Sequence, residues 1–410
     1  MHTALSPEFA HTEIGQQAKA LIAKCVHCGF CNATCPTYQL LGDELDGPRG
    51  RIYLMKEMFE GKPVSRITQE HLDRCLTCRA CETTCPSGVE YGQLIDLGRR
   101  VINEKIKRPA SEQLKRTALI EFISRPTLFK QVYRSAQSAK PFLPKSVQAK
   151  VQSSTPKPYS PKKHDRKMLV LQGCVQPALA PQTNIAATRV LDHLGIELIT
   201  APEAGCCGAI RQHNGELERA QQQAKQNIDA WWPYIEQGAE KIIMTASGCG
   251  AQVQDYDKLL AEDPLYADKA KTISELCCDL SVVVYEAVLA SEVPHSPQAM
   301  RVAVQEPCTY QHALRHKAPL QHLLRQLGYD VTPVAENHLC CGSAGTYSVF
   351  QPKLSAQLRE RKLQHLMAHQ PAVIVTANIG CQHHLQETSP IPVLHWIELV
   401  DRLFSPTPAA

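Results

Sequence analysis

The hydrophobic pattern of the first third of the chain is helical. After the second of two cysteine-rich runs, apolar residues recur at the steps of an amphipathic helix: Leu94, Ile95, Val101, Ile102 and Ile106. Two shorter helices are predicted over residues 50–59 and 68–74, between the two runs. The pattern therefore predicts an α-helical N-terminal domain.

Beyond residue 167 short apolar strands alternate with amphipathic helices. Strands are predicted over residues 168–171 and 241–245, and again over 302–304 and 372–376. A helix follows the first strand of each set, and the two apolar stripes share one spacing: Ala187, Val190, Leu191 and Leu194, then Leu320, Leu323, Leu324 and Leu327. This alternation predicts two similar α/β domains with small parallel sheets.

Composition narrows the class of protein. The chain has 410 residues, 43% of them hydrophobic, which is enough for two or three packed domains. The net charge of +4 is too small to indicate a nucleic-acid partner. Because no run of about 18 apolar residues is present and residues 1–10 lack a signal-peptide pattern, we expect a cytoplasmic protein.

Cysteines are unusually numerous, at 18. Disulfides are uncommon in a reducing compartment, so metal ligation is the leading explanation. Two runs of the form C-x2-C-x2-C-x3-C-P lie 50 residues apart: Cys25, Cys28, Cys31 and Cys35, then Cys75, Cys78, Cys81 and Cys85. This is the spacing of bacterial two-cluster ferredoxins.

The spacing also predicts which cysteines share a cluster. Three thiolates two residues apart can wrap one [4Fe-4S] cube, and the proline after the fourth cysteine redirects the chain towards the other cube. The predicted sets are therefore crossed: Cys25, Cys28, Cys31 and Cys85 for cluster 1, and Cys75, Cys78, Cys81 and Cys35 for cluster 2. Zinc is the alternative, but a zinc site needs only two C-x2-C pairs and leaves the third cysteine of each run without a role.

Two arginines lie between the runs, at Arg49 and Arg51. One interpretation is that they place positive charge beside the reduced clusters. The other is that they are ordinary solvated residues at the start of a helix. The sequence favours neither.

The second half contains an internal repeat. The first cysteines of the two units and their CCG motifs lie 134 residues apart, and each unit ends in a further cysteine that follows a glycine. The two sets are Cys174, Cys206, Cys207 and Cys249, then Cys308, Cys340, Cys341 and Cys381. We expect them at strand carboxyl ends, where open α/β sheets place ligands. A third cluster, a zinc ion and a set of buried free thiols all remain open.

Four neighbouring residues are not assigned to this repeat. Cys277 and Cys278 lack the following glycine and are interpreted as structural. His383 and His384 follow Cys381 and are interpreted as surface residues rather than metal ligands.

The predicted fold class is α plus α/β. An α-helical ferredoxin-type domain with two [4Fe-4S] clusters is expected over residues 1–139, followed by a proline- and lysine-rich linker over 140–167. The two repeated cysteine-rich (CCG) domains are expected over 168–290 and 300–404.

Taken together, these motifs resemble those of a known family. The C…CCG…C units are similar to the cysteine-rich domains of heterodisulfide reductase. Their fusion to a two-cluster domain resembles the iron–sulfur subunits of flavin-linked 2-hydroxyacid and glycerol-3-phosphate dehydrogenases, and above all those of bacterial glycolate oxidase (glycolate dehydrogenase). The resemblance is carried by these segments: residues 25–31, 38–51, 71–88, 204–208, 245–250 and 338–347.

This resemblance implies an electron-transfer role in an oxidoreductase complex. Separate flavoprotein subunits that hold FAD would oxidise glycolate and often D-lactate. This subunit would pass the electrons to a membrane acceptor such as quinone, in peripheral contact with the inner membrane. Since the chain contains neither G-x-G-x-x-G nor G-x-x-x-x-G-K-[ST], no catalytic residue is expected in it, and it should be inactive alone.

One feature departs from the heterodisulfide reductase pattern. Each unit there ends in a C-x2-C pair, whereas Ala246 and Asn378 replace the first cysteine of that pair here. A five-cysteine cluster that reduces disulfides is therefore disfavoured. A heterodisulfide-reductase-like subunit, or the iron–sulfur subunit of another 2-hydroxyacid or glycerol-3-phosphate dehydrogenase, is the alternative function.

Overall fold

The computed structural model describes residues 1–142, 159–290, 293–296, 300–316 and 319–404. Most of the predicted linker at 140–167 lies outside the described residues. The chain divides into two compact units. The first contains Met1–Ile120, Ile210–Leu217 and His338–Lys362, and the second contains the described parts of Glu121–Ala209, Glu218–Asn337 and Leu363–Ala410.

Helices surround the two cysteine runs in the first unit. They are α1 (Glu13–Ala23), α2 (Pro36–Leu41), α3 (Pro48–Phe59), α4 (Arg66–Asp73), α5 (Ala80–Thr84), α6 (Tyr91–Lys105) and α7 (Ala110–Ile123). Short 3-10 turns occupy Phe30–Thr34 and Glu44–Asp46. The two helices predicted between the runs are confirmed as α3 and α4. Pro48 begins α3, and reciprocal bonds between Ser65 and Thr68 cap α4.

The apolar core of this unit lies among α1, α3, α4 and α6. Met55, Phe59, Leu72, Leu94 and Ile95 are buried in it. The apolar stripe predicted after the second run therefore faces the core of the unit, as its helical spacing requires. Several run cysteines join the same cluster, so the ligand loops are anchored on packed helices: Cys25, Cys75 and Cys81.

Two four-stranded sheets form the centre of the second unit. The strands are β1 (Arg166–Val170), β2 (Ile196–Thr200), β3 (Ile242–Met244), β4 (Cys277–Asp279), β5 (Arg301–Gln305), β6 (Asp330–Thr332), β7 (Val373–Thr376) and β8 (Val393–His395). Their orders are β2-β1-β3-β4 and β6-β5-β7-β8, and every neighbouring pair is parallel. The identical order confirms the predicted duplication and the α plus α/β fold class.

The remaining α-helices follow α7 along the chain, and those at 347–350 and most of 209–213 and 352–367 belong to the first unit. They are α8 (Pro126–Ser138), α9 (Gln176–Leu179), α10 (Pro181–His193), α11 (Ala209–His213), α12 (Leu217–Glu236), α13 (Ser247–Gln254), α14 (Tyr256–Leu259), α15 (Ala267–Leu276), α16 (Leu280–Leu289), α17 (Pro319–Gln326), α18 (Tyr347–Phe350), α19 (Pro352–Met367), α20 (Ile379–Gln386) and α21 (Trp396–Phe404). Side chains of both sheets share one apolar cluster, which includes Val170, Ile243, Val302 and Val375. Over the described ranges, no helix is both long enough and apolar enough to cross a bilayer.

Candidate metal centres

The two C-x2-C-x2-C loops have the same backbone conformation. In the first loop His27 (φ 60°) and Gly29 (φ 88°) lie in the left-handed region, and in the second Thr77 (φ 52°) and Arg79 (φ 60°) do so. These residues flank the middle cysteine of each loop. Two left-handed residues bend the chain sharply, so the three thiols of a loop can border one cavity.

Each loop borders its own cavity. The first cavity encloses about 420 Å³, including its open side, and five cysteines line it: Cys25, Cys28, Cys31, Cys81 and Cys85. The second encloses about 300 Å³, and four cysteines line it: Cys35, Cys75, Cys78 and Cys81. Because Cys81 borders both, the cavities adjoin. The structure thus brings together the members of each crossed set, while their ligation to a cluster stays a prediction.

The thiols within each cavity are close enough to affect one another electrostatically. Burial, together with the neighbouring Cys25 and Cys85 thiols, raises the pKa of Cys31 to about 11. Burial, together with Cys78, Cys75 and Cys35, also raises the pKa of Cys81. Crowded thiolates of this kind need a metal centre to balance their charge, and an all-sulfur donor set suits iron–sulfur clusters. The residues present therefore fit two such clusters.

The two cavities differ in their access to solvent. Cys28 is exposed, and the neighbouring Val26 and Phe30 side chains are 68% and 62% exposed. By contrast, the cysteines of the second set are all buried: Cys35, Cys75, Cys78 and Cys81. Among the eight predicted ligands, only Cys28 of the first set therefore lies at the surface.

Arg51 belongs to a buried charge network beside the second cavity. Its side chain is 1% exposed, and its Nη2 atom lies 3.3 Å from Asp46 Oδ1. Its Nε donates to the carbonyl oxygen of His71 at 2.7 Å, and its Nη1 lies 4.0 Å from Cys35 Sγ. Arg74 and His71 also contact the Asp46 carboxylate, at 2.9 and 3.0 Å. A fixed positive charge thus lies next to a predicted cluster ligand.

The structure separates the two interpretations of the arginines. The interpretation of Arg51 as a solvated residue is wrong, because its side chain is buried and bonded to Thr37, Asp46 and the His71 carbonyl. Arg49 is half-buried at the first cavity and pairs with Glu44 at 2.6 Å. This pair lowers the pKa of Glu44, chiefly through the hydrogen bond from Arg49.

Sequence reasoning missed Tyr91, the first residue of α6. It lines both cavities and is 3% exposed. Its hydroxyl has no hydrogen-bond partner among the described residues. No local motif marks this position, because its role arises from the packing of α6 against both loops.

Four cysteines of the first CCG domain also come together. Cys174 follows β1, Cys206 and Cys207 follow β2, and Cys249 lies in the first turn of α13. Hydrogen bonding to Cys206, followed by burial, raises the pKa of Cys174, while bonds to Cys206 and Cys249 and burial raise that of Cys207. The sulfur atoms therefore form one group, in which Cys174, Cys206 and Cys207 are buried and Cys249 is half-buried. A tetrathiol group of this kind suits a zinc ion or a cluster.

Two polar residues hold the CCG loop of this domain in place. Asn227 of α12 accepts from the Gly205 amide at 2.8 Å and donates to the Cys206 carbonyl at 2.9 Å. The Tyr256 hydroxyl donates to the Cys207 carbonyl at 2.9 Å. Sequence reasoning missed both residues, since neither lies near a cysteine of the motif in the chain.

The cysteines of the second repeat are placed in two separate units. Cys308 follows β5, and Cys381 lies in the first turn of α20, where the Asn378 amide donates to its sulfur at 3.5 Å. Cys340 and Cys341 belong to the first unit, in which the Gly342 amide donates to Cys340 Sγ at 3.4 Å. Metal ligation by these four cysteines stays a prediction.

The structure partly corrects the interpretation of the neighbouring residues. Cys277 and Cys278 lie inside β4 rather than in a ligand loop, and burial raises the pKa of Cys278 to about 11. His384 is 7% exposed, so its assignment to the surface is wrong, because α20 turns that side chain inward. His383 is half-buried, and burial lowers its pKa, which favours a neutral ring.

Known families match the parts of the chain that contain these cysteines. Residues 21–89 match the 4Fe-4S dicluster domain, and residues 168–254 and 302–386 each match the Cysteine-rich domain. A crystal structure of a hypothetical protein from Helicobacter pylori covers 97% of this chain and 73% of its own, with a TM-score of 0.57. At 12% identity that similarity shows a shared fold alone.

Two relatives match the chain over most of its length. The glycolate oxidase iron-sulfur subunit of Escherichia coli (strain K12) is 50% identical over 98% of this chain and 99% of its own. The probable glycolate oxidase iron-sulfur subunit of Bacillus subtilis (strain 168) is 31% identical over 88% of this chain and 87% of its own. Lactate utilization protein A of Exiguobacterium is 25% identical over 56% of this chain and 94% of its own. With both cysteine runs complete and both repeats in place, this chain belongs to the family of glycolate oxidase iron–sulfur subunits.

Proposed function

We propose that this chain is the electron-transfer subunit of a complex that oxidises glycolate, and D-lactate, on separate FAD-containing flavoprotein subunits. The observation that carries the proposal is the pair of adjoining cavities, each lined by the four cysteines of one predicted [4Fe-4S] set. The relatives named for glycolate oxidase and lactate utilization support the substrate class. We expect the electrons to leave towards a membrane acceptor such as quinone, with the chain bound peripherally at the inner membrane.

The cysteines and the charged residues around them have different proposed roles. When bound, a [4Fe-4S] cluster carries one electron at a time. Cys25, Cys28, Cys31 and Cys85 would hold the first cluster, and Cys35, Cys75, Cys78 and Cys81 the second. Arg51 offsets negative charge beside Cys35. Removal of two electrons from a hydroxyacid needs a flavin or nicotinamide, so we expect the chain to be inactive alone.

The difference in exposure supports an order for the two centres. Cys28 is exposed beside Val26 and Phe30, whereas the second set is buried. Electron transfer between proteins requires close approach of the redox centres. We therefore infer that the centre at Cys28 exchanges electrons with another subunit, and that the buried centre acts within this chain.

A cysteine substitution in the assembled complex tests the main proposal. Cys78→Ala should remove the iron and acid-labile sulfide of one ferredoxin-type cluster and abolish dye-linked glycolate oxidation, because the path of electrons through this chain is interrupted. Cys278→Ala is the matched control, since Cys278 is half-buried in β4 and lines neither cavity. Undiminished glycolate oxidation after loss of a cluster would refute the role. So would an anaerobic preparation that contains zinc and no sulfide.

The grouped thiols of the first CCG domain favour a further metal centre, in addition to the two ferredoxin-type clusters. We propose that Cys174, Cys206, Cys207 and Cys249 hold a third cluster or a zinc ion. Cys206→Ala in the full chain should lower the total metal content without removing the electron paramagnetic resonance signals of the two ferredoxin-type clusters. If the unmodified chain contains no metal beyond those two clusters, these cysteines are buried free thiols and the proposal fails.

A further inference from the structure

Tyr91 lies at the boundary between the two cluster cavities. Three residues line both cavities: Pro48, Cys81 and Tyr91. Pro48 has no hydrogen-bond donor, and Cys81 is itself a predicted ligand. Tyr91 is therefore the shared wall residue that can donate a hydrogen bond to a cluster without ligating it.

The hydroxyl of Tyr91 is buried and unpartnered in the described part of the chain. The side chain is 3% exposed, so water does not compensate freely for the missing partner. Buried hydroxyl groups are almost always hydrogen-bonded, and an exception calls for an explanation. The adjacent sulfur-lined cavity offers one, since cluster and thiolate sulfurs accept hydrogen bonds.

The residues around the Tyr91 hydroxyl indicate which of the two cluster sites it contacts. Three thiols interact electrostatically with this hydroxyl: Cys75, Cys81 and Cys35. All three border the second cavity and belong to the second set. A tyrosine hydroxyl is protonated near neutral pH, so it can act as a donor to that side.

We propose that the Tyr91 hydroxyl donates a hydrogen bond to a sulfur atom of the second cluster site and raises the reduction potential of that cluster. Reduction adds negative charge, and a hydrogen bond to a more negative acceptor is stronger, so the bond stabilises the reduced state. Tyr91 is thus a positioning residue that sets the potential difference between two adjoining centres. The inference depends on the two clusters of the proposed function.

The test is an anaerobic redox titration of the full chain, followed by electron paramagnetic resonance. Tyr91→Phe should keep its iron and sulfide, while the reduction equilibrium constant of one cluster falls about tenfold, equivalent to about 59 mV for one electron. Tyr53→Phe is the matched control: Tyr53 lies on α3 of the same unit, is 41% exposed and lines neither cavity. Its potentials should equal those of the unmodified chain.

A second variant covers the case in which Tyr91→Phe loses its clusters. Fluorotyrosine incorporated at position 91 keeps the shape and is a stronger donor, so the same potential should rise instead of fall. Unchanged potentials in either cluster-loaded variant would overturn the inference. Equal shifts of both clusters would also overturn it. If the unmodified chain contains no clusters at all, the proposed function fails first, and the two failures are thereby distinguished.

Discussion

Gly342, the glycine of the second CCG motif, allows a quantitative test of the close contact between the CCG loop and α19. Gly342 has φ +92°, in the left-handed region that side chains disfavour. A Cβ added there would lie 2.6 Å from the backbone oxygen of Ser355 and 3.0 Å from Leu358 Cβ. The Ser355 hydroxyl also donates to the Gly342 carbonyl at 2.8 Å, so the loop is fixed on α19. Gly342→Ala should therefore displace the segment that contains Cys340 and Cys341.

Two contributions make up the loss of folding free energy expected in Gly342→Ala. A left-handed conformation costs an L-residue about 1–2 kcal/mol. Forcing a methyl group against backbone in a packed site costs about 1–3 kcal/mol more. Gly42 is the matched control, because it has φ +67° in the same unit and no atom within 4 Å of an added Cβ. Gly42→Ala should therefore show the backbone contribution alone.

Calorimetry of the full chain, with circular dichroism, measures both variants. The extra cost of about 1–3 kcal/mol in Gly342→Ala should lower the unfolding midpoint of the first unit relative to Gly42→Ala, by about 2–4 °C for each kcal/mol. Calorimetry is needed because two units need not unfold in one step. Equal midpoints in the two variants would refute the close contact at Ser355.

Three further predictions concern buried polar groups. Arg51→Met leaves the Asp46 carboxylate with fewer partners and should lower the free energy of unfolding by about 3 kcal/mol; a loss below about 1 kcal/mol in urea titrations would contradict this. Asn227→Leu removes the hydrogen bonds to the Gly205 amide and the Cys206 carbonyl, so it should lower the free energy of unfolding by about 2 kcal/mol and reduce metal retention in the first CCG domain, measured by elemental analysis; unchanged values would show that Asn227 does not hold the CCG loop in place. Burial raises the pKa of Asp279 from 3.8 to about 6, so its contribution to stability is present below pH 3.8 and is lost as the pH rises through 6. The free energy of unfolding of Asp279→Asn, measured by urea titration, should thus exceed that of the unmodified chain by up to about 3 kcal/mol at about pH 8 and equal it at about pH 3. Equal differences at the two pH values would contradict the raised pKa of Asp279.

The spacing of residues along the chain predicted those parts of the site that are formed by residues close together in sequence. The first three cysteines of each run are only a few positions apart, so the form C-x2-C-x2-C-x3-C-P was sufficient to predict that they border one cavity; that Cys81 also borders the other cavity was not predicted. The same holds for α3, α4 and the stripe of α6, whose apolar periods lie within single helices. The 134-residue offset likewise revealed the duplication, which the identical strand orders confirm.

The sequence analysis missed four of the strands: β2, β4, β6 and β8. β4, β6 and β8 are three residues long, and polar or cysteine residues occur in them. Three residues do not establish a period of two, so only pairing with β3, β5 and β7 identifies them. Their existence depends on neighbours that are distant in the chain.

By itself, the sequence determined the helical first domain, the repeated α/β architecture and the resemblance to a family, and it predicted the thiol sets. Tertiary structure alone decided which polar residues surround the thiols. Tyr91 and Asn227 carry no motif, the sequence favoured neither interpretation of Arg51, and His384 was assigned to the wrong environment, because burial and hydrogen bonding arise from elements far apart in the chain. Ligand spacing is a property of a loop, whereas the electrostatic environment of a ligand is a property of the packed unit around it.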